Sequence, residues 1–215
     1  GMPVAAYQGV YLGFPWMFQY GGAGEPGTAG DGPMDTQLAV SRDLEHWDRP
    51  DRTVVIPRGV EGSFDSGMTF TSTNLIAHGR EVWLYYGGWD GLHGSRTRGA
   101  SIGIAKWRLD GFVSYANGGD QEGTVTTRTI TFSGSKLHVN AALHPGDGAL
   151  RVEVLGADGN PLPGFSRAES IPVRGDHTDA VVRWTSGRTL ADIAGQPVQI
   201  RFYLDGGDLY SYRIS

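Results

Sequence analysis

The chain has 215 residues, a formal net charge of -5 and no block of Lys or Arg, which argues against a nucleic-acid partner or an anionic membrane surface. Its 34 Gly and 11 Pro, with 6 Trp, 9 Tyr and 8 Phe, favour an all-β protein rich in turns. The absence of Cys excludes disulfides and thiolate chemistry. No apolar run approaches the ~20 residues of a membrane helix and no basic-plus-apolar leader precedes Pro3, so the chain reads as soluble, without a signal peptide and with no compartment indicated. Gly1-Met2 reads as a tag remnant before a start codon.

In chain order, strands are expected at residues 4–7 and 10–20, the second interrupted by Pro15, which suits a bulge or rim position better than a central ladder. Residues 21–33 turn to Gly, Pro, Ala and Asp and read as a flexible loop. Strands follow at 35–41 and 53–56, separated by Ser41-Arg42-Asp43-Leu44-Glu45-His46-Trp47, in which Ser and Asp side chains cap backbone amides. Further strands are expected at 68–71, 81–86 and 100–107, with Gly87-Gly88-Trp89-Asp90-Gly91-Leu92-His93-Gly94 as a long loop. Residues 109–115 form an outer strand or leave the sheet.

The segment 117–122 is polar and Gly-rich, and the domain boundary is placed there: 1–118, then 119–215. Beyond it, strands at 124–132, 136–142, 150–155, 178–185, 198–204 and 209–214 alternate more cleanly between turn signals such as Asp205-Gly206-Gly207-Asp208, the pattern of a β-sandwich. Only residues 190–193 look helical. The first half also carries an internal repeat: Val10-Tyr11-Leu12 falls on Val82-Trp83-Leu84 at an offset of 72 residues, and Leu38-Ala39-Val40 on Ile104-Ala105-Lys106 at 66. A unit of that length with several short strands is expected of a propeller blade, so the fold class is all-β, a partial β-propeller of two four-stranded blades followed by a β-sandwich.

Ser41-Arg42-Asp43-Leu44-Glu45-His46-Trp47 resembles the Ser-x-Asp-x-x-x-Trp element that closes blades in five-bladed propeller glycosidases. Gly62-Ser63-Phe64-Asp65-Ser66-Gly67 followed by Trp83-Leu84-Tyr85-Tyr86-Gly87-Gly88 looks like the last blade of those enzymes. Propeller followed by sandwich is similar to the layout of glycoside hydrolase family 32, the β-fructosidases, which are related to family 43. Leu150-Arg151-Val152-Glu153-Val154, Gly164-Phe165-Ser166 and Leu209-Tyr210-Ser211-Tyr212 look like the tail of family-32-like bacterial proteins. The resemblance implies the C-terminal part of such a protein. The nucleophile motif and the Arg-Asp-Pro and Glu-Cys motifs are not found here, so no catalytic residue is carried over.

Glycosidic hydrolysis needs two carboxyls about 5 Å apart for retention or about 6.5–9.5 Å for inversion. Asp65, Glu61, Asp35 and Asp90 are the acids placed to project into a propeller well, and Asp65, wedged between Phe64 and Gly67 before an inner strand, is the catalytic candidate. Its other reading is an Asp that caps the turn. Sugar faces are met by flat aromatics beside hydrogen-bonding groups, and Trp16, Tyr86, Trp89, Asp90 and His93 supply that mixture, with Asp35 and Glu61 as further substrate-binding candidates. The six His show no metal spacing, no cofactor is implied, and Ser66-Gly67 is not a nucleophile elbow. The expected function is that of a carbohydrate-active, glycoside hydrolase-like protein, catalytically incomplete in this chain; the rival is a non-catalytic glycan-binding or structural module. Two blades leave open edges, so self-association or additional blades are expected.

Overall fold

The computed structural model describes residues 1–21, 31–118 and 121–215. The chain is all-β: its strands form five sheets, none closed among the described residues, with a single 3-10 turn at Leu190–Ile193. No helix of the described residues is long and apolar enough to cross a membrane. The chain divides into two compact units, Gly1–Leu109 and Asp110–Ser215. The expected loop at 21–33 and junction at 117–122 fall in part on residues 22–30 and 119–120, which lie outside the described residues.

The first unit holds β1 (Val4–Tyr7), β2 (Val10–Gly13), β3 (Trp16–Phe18), β4 (Met34–Thr36), β5 (Ala39–Ser41), β6 (Met68–His78), β7 (Glu81–Trp89) and β8 (Ala100–Arg108). The two-residue turn from β1 to β2 puts Gln8 at φ 46° and Gly9 at φ 79°, the left-handed pair whose twist suits a tight hairpin. The strand expected over 10–20 is two strands in two sheets, because Pro15 has no N–H to give a ladder. On either side of it Phe14 N donates to the Pro3 carbonyl at 2.9 Å and Trp16 N to the Gly1 carbonyl at 3.0 Å. The facing stretch 35–41 splits in step, into β4 and β5. The register nevertheless carries across the break, since Gly13 faces Ala39 and Trp16 faces Thr36.

The sheets of this unit are β1-β2-β5 and β3-β4-β6-β7-β8, three strands and five, where two sets of four were expected. Two local causes account for the difference. β4 joins β6 through one parallel pair, Met34 with Met68, which adds β3 and β4 to the second sheet. The strand expected at 53–56 reduces to a bridge between Ile56 and Thr36, because Thr53 N turns back to the Asp51 carboxylate at 2.9 Å. β1-β2-β5 and β6-β7-β8 are both antiparallel triplets, but the register of the repeat is off by one residue: Leu12 faces Val40, whereas its counterpart Leu84 faces Ala105 and Lys106 faces Trp83.

After β5 the chain makes a densely capped turn. Ser41 Oγ accepts from the N–H of Asp43 at 3.2 Å and of Leu44 at 2.8 Å, while Asp43 Oδ1 accepts from Glu45 N at 2.9 Å and His46 N at 2.8 Å. The Trp47 indole N–H returns to the Leu44 carbonyl at 3.1 Å. The His46 backbone N–H, and then its imidazole, hold the Asp43 carboxyl well below the ordinary carboxylate range. A lowered folded value means that this capping favours the folded state above the usual Asp range and is lost as pH falls through it toward the folded value. In a carbon-detected NMR titration Asp43 is expected to protonate at lower pH than the unpaired acids; coincident titration would remove the cap.

The second unit holds β9 (Tyr115–Asn117), β10 (Gly123–Thr126), β11 (Leu137–Leu143), β12 (Ala149–Leu155), β13 (Ser170–Ile171), β14 (Asp176–Val181), β15 (Arg183–Trp184), β16 (Gln199–Asp205) and β17 (Gly207–Ile214). Its two larger sheets are β10-β16-β12 and β14-β11-β17-β9. Alternate residues of both, including Val139, Val152, Ile200, Phe202 and Leu209, enter one buried core with Phe165 and Trp184. The strand expected over 124–132 stops at Thr126 and leaves only a bridge from Ile130 to Val198. Here Thr127 uses its hydroxyl to accept from Ile200 N at 3.0 Å, so a side chain takes the place of a ladder partner.

Candidate carboxylate and aromatic site

Two of the acids singled out in the sequence are buried in the first unit. Asp65 is 7% exposed and lies in the turn before β6. Its Oδ1 accepts from Ser63 Oγ at 2.9 Å and its Oδ2 from the Tyr86 hydroxyl on β7 at 2.7 Å. Two glycines make room for it. A Cβ on Gly88 would stand 2.5 Å from the Asp65 Cβ and 2.7 Å from the Phe64 ring, and one on Gly59 would collide with the Asp65 carboxylate and Ser63 Oγ. Phe64 stacks along Tyr86 at 6.2 Å between ring centres.

Asp35, 3% exposed, sits on β4. Arg58 Nε donates to its Oδ1 at 2.7 Å and Gln19 Nε2 to its Oδ2. The same Arg58 gives Nη1 to the Ser66 carbonyl at 3.1 Å, so one guanidinium ties Asp35 to the turn that carries Asp65. Arg58 and Gln19 were not anticipated, and no local pattern in the sequence marks them, because their pairing with Asp35 joins residues distant in the chain; Ser63 lies within the stretch 62–67 and reaches Asp65 locally.

Burial first, and then the hydrogen bond to the Asp65 carboxylate, push the Tyr86 phenol up to about 12. A raised folded value implies stability that is complete below the unfolded Tyr value near 10 and is lost as pH rises toward 12. Discounted for partial exposure, the loss is about 1 kcal/mol. Urea midpoints of wild type and Tyr86→Phe measured from pH 9 to 11.5 should converge as the pH rises; parallel curves would contradict the assignment.

The aromatics divide differently from the expectation. Trp89 was placed in a Gly-rich loop, but Gly87, Gly88 and Trp89 all lie on β7, paired with Phe70, Thr69 and Met68. Strand alternation then sends Tyr86 and Trp89 to opposite faces. Trp89 meets Phe70 edge-on at 4.7 Å, and Phe70 meets Trp16 edge-on at 4.6 Å. The Trp16 indole N–H also donates to Thr71 Oγ1 at 3.3 Å. Asp90 is exposed and closes the loop 90–99 by accepting from Gly99 N at 2.7 Å. His93 packs against Phe18 at 5.4 Å. Glu61 is exposed at the tip of the turn closed by Ser63 N to the Val60 carbonyl. The fold therefore bonds Asp65 to Tyr86, ties Asp35 to the Asp65 turn through Arg58, joins Trp16 to Trp89 through Phe70, and leaves Glu61 on an exposed turn. Among the described residues no group of three or more His, Asp or Glu could hold a metal ion.

The second unit contains a polar cluster that the sequence reading missed. Glu153, 4% exposed on β12, accepts from Arg201 Nη1 at 3.2 Å, from the Tyr203 hydroxyl and from Arg167 N at 3.3 Å. Arg167 also lies over the Tyr203 ring at 5.0 Å. Its signal was period-two alternation: Arg151 and Glu153 on β12, and Arg201 and Tyr203 on β16, interleave with the core residues.

Comparison with known proteins finds no matching family model and no matching curated protein. Among solved structures, a glycoside hydrolase family 43 arabinoxylan arabinofuranohydrolase from Bacillus subtilis, in complex with cellotetraose, aligns with a TM-score of 0.32 and 11% identity. The alignment covers 100% of this chain and 53% of that enzyme, so the chain spans about half of its length. A likeness at that score assigns neither a fold family nor an activity.

Proposed function

We propose that this chain is a carbohydrate-active protein of glycoside hydrolase-like type, related to the β-fructosidase class, whose first unit is two propeller blades and whose second is a β-sandwich. One observation carries the reading: Arg58 ties the buried carboxylate Asp35 to the turn that carries the buried Asp65, and the same unit holds an aromatic run, Trp16-Phe70-Trp89, on the face of β7 opposite Tyr86. Fixed carboxylates and flat rings are what sugar hydroxyls and C–H faces require. Both oxygens of each carboxylate already accept an internal hydrogen bond, which suits orientation of a ligand better than proton transfer. On this reading the chain is catalytically incomplete. A panel of fructosides, arabinosides and xylosides should give no turnover above background; robust hydrolysis by the full chain would overturn the incompleteness.

That same saturation of the carboxylates favours the second reading, a non-catalytic glycan-binding module. Glycan-array binding lost on Trp89→Ala with no hydrolysis would select it, whereas absence of binding to any sugar would remove both. The edge of the five-stranded sheet supports a further part of the proposal, that additional blades or a second copy cover it. β8 is a nine-residue edge strand with Ile102 80% and Ile104 37% exposed, and such an edge recruits strands. Light scattering should show a mass rising with concentration, abolished by Ile102→Lys; a constant monomer mass would count against association.

A further inference from the structure

On the second unit, three side chains distant in sequence converge on one face of the sheet β14-β11-β17-β9. His138 on β11 has Nδ1 2.8 Å from Asp179 Oδ1 on β14, and its Nε2 is 2.9 Å from Ser215 Oγ, 77 residues away in the chain. With Nδ1–H given to the carboxylate, Nε2 is the acceptor and the serine hydroxyl is the donor. Arg213 Nη2 donates to the same Asp179 oxygen at 2.8 Å and lies 3.3 Å from His138 Nδ1. His138 is 9% exposed, so the base is sheltered, whereas Ser215 is an exposed residue. We infer that Ser215, His138 and Asp179 form a serine-hydrolase type relay that accepts acyl groups from small esters. Such a relay is recognised by geometry and roles, in any chain order.

Ser215 Oγ bonds to the ester carbonyl carbon while its proton passes to His138 Nε2. The carbon–oxygen bond to the alcohol then breaks, and the alcohol leaves with that proton. Water adds to the acyl carbon, gives a proton to Nε2, and Ser215 departs with it as the acid is released. Asp179 accepts from Nδ1–H and so fixes the ring tautomer. Neighbouring backbone donors are occupied: Ser135 N and Lys136 N donate to the Ser215 carbonyl, and Ser215 N to that of Lys136. Arg213 is held on Asp179 at the Nδ1 side of the ring, so the oxyanion relies on solvent, and since one lost oxyanion donor costs about 10²–10³ in rate, acylation is the step to observe.

The full chain treated with a fluorophosphonate probe should carry one adduct, mapped by mass spectrometry to Ser215. Ser215→Ala should abolish it, and His138→Gln should slow it by about 10²-fold or more. Because His138 is buried, Asp179→Asn, at a residue with a side chain 54% exposed, gives a second test that spares the core. It should slow labelling without altering circular dichroism. No adduct at Ser215, or equal labelling rates in wild type and Asp179→Asn, would overturn the relay.

Discussion

Asp65→Ala is expected to lower the stability of the first unit by about 2–4 kcal/mol, read from urea unfolding. The residue is 7% exposed and receives two hydrogen bonds, from Ser63 Oγ and from the Tyr86 hydroxyl. Removing the carboxylate leaves the phenol partly buried without its acceptor, and such an orphaned group costs about 1–3 kcal/mol. A void also opens between Gly59 and Gly88, whose missing side chains now accommodate Asp65. Tyr86→Phe alone should cost less, because it removes the donor and keeps the ring against Phe64. The two changes share one bond, so the double variant should be milder than the sum of the singles by about 1 kcal/mol or more. Strict additivity would mean that Asp65 is held chiefly by the turn and not by Tyr86. Gly88→Ala tests the same packing from the other side, since its Cβ would stand 2.5 Å from that of Asp65. Overpacking of this kind costs about 1–3 kcal/mol.

Strand positions were legible in this chain to the extent that alternation and turn residues write them locally; strand partners were not. Val4–Tyr7 and the strand from Leu209 onward are found where apolar and aromatic residues run between turn residues. Asp205-Gly206-Gly207-Asp208 has the composition of a hairpin turn, yet β16 and β17 belong to different sheets. Gly206 at φ 64° and Gly207 at φ 133° instead carry the chain across, where a Cβ on Gly207 would strike the backbone of Ala142 and Leu143. Ile200, Phe202 and Leu204 on one strand and Leu209 on the next face the same core from two sides, and burial of those rows decides the pairing. The candidate site shows the same limit. Asp35 and Asp65 were legible as acids beside inner strands, but Arg58, which braces them, was not, because a loop contact has no period. Trp89 was misplaced because glycines read as loop, whereas Gly87 and Gly88 leave room on β7 for the Trp89 ring and for Asp65.

Glu153→Ala is expected to destabilise the second unit by about 2–4 kcal/mol, and the reason differs from that at Asp65. Glu153 is 4% exposed and accepts from Arg201, Tyr203 and Arg167 at once. Burial first, and then the bond to Glu153, push the Tyr203 phenol above its ordinary value, and Arg201 is raised by its contact with Tyr203 and by Glu153. Deleting the carboxylate strands a guanidinium and a phenol in a place that was built for an anion. Arg201 can turn partly to solvent, its side chain being 35% exposed, which keeps the loss below that of a fully buried pair. Desolvation makes a buried ion pair a poor net stabiliser even when breaking it is costly. Glu153→Met combined with Arg201→Met should therefore recover most of the loss seen in Glu153→Ala. If the double variant is as unstable as the single, the cluster stabilises by its net electrostatics. If it recovers, the cluster fixes the register of β10, β16 and β12, where Thr126 Oγ1 also accepts from Arg201 Nε at 3.1 Å.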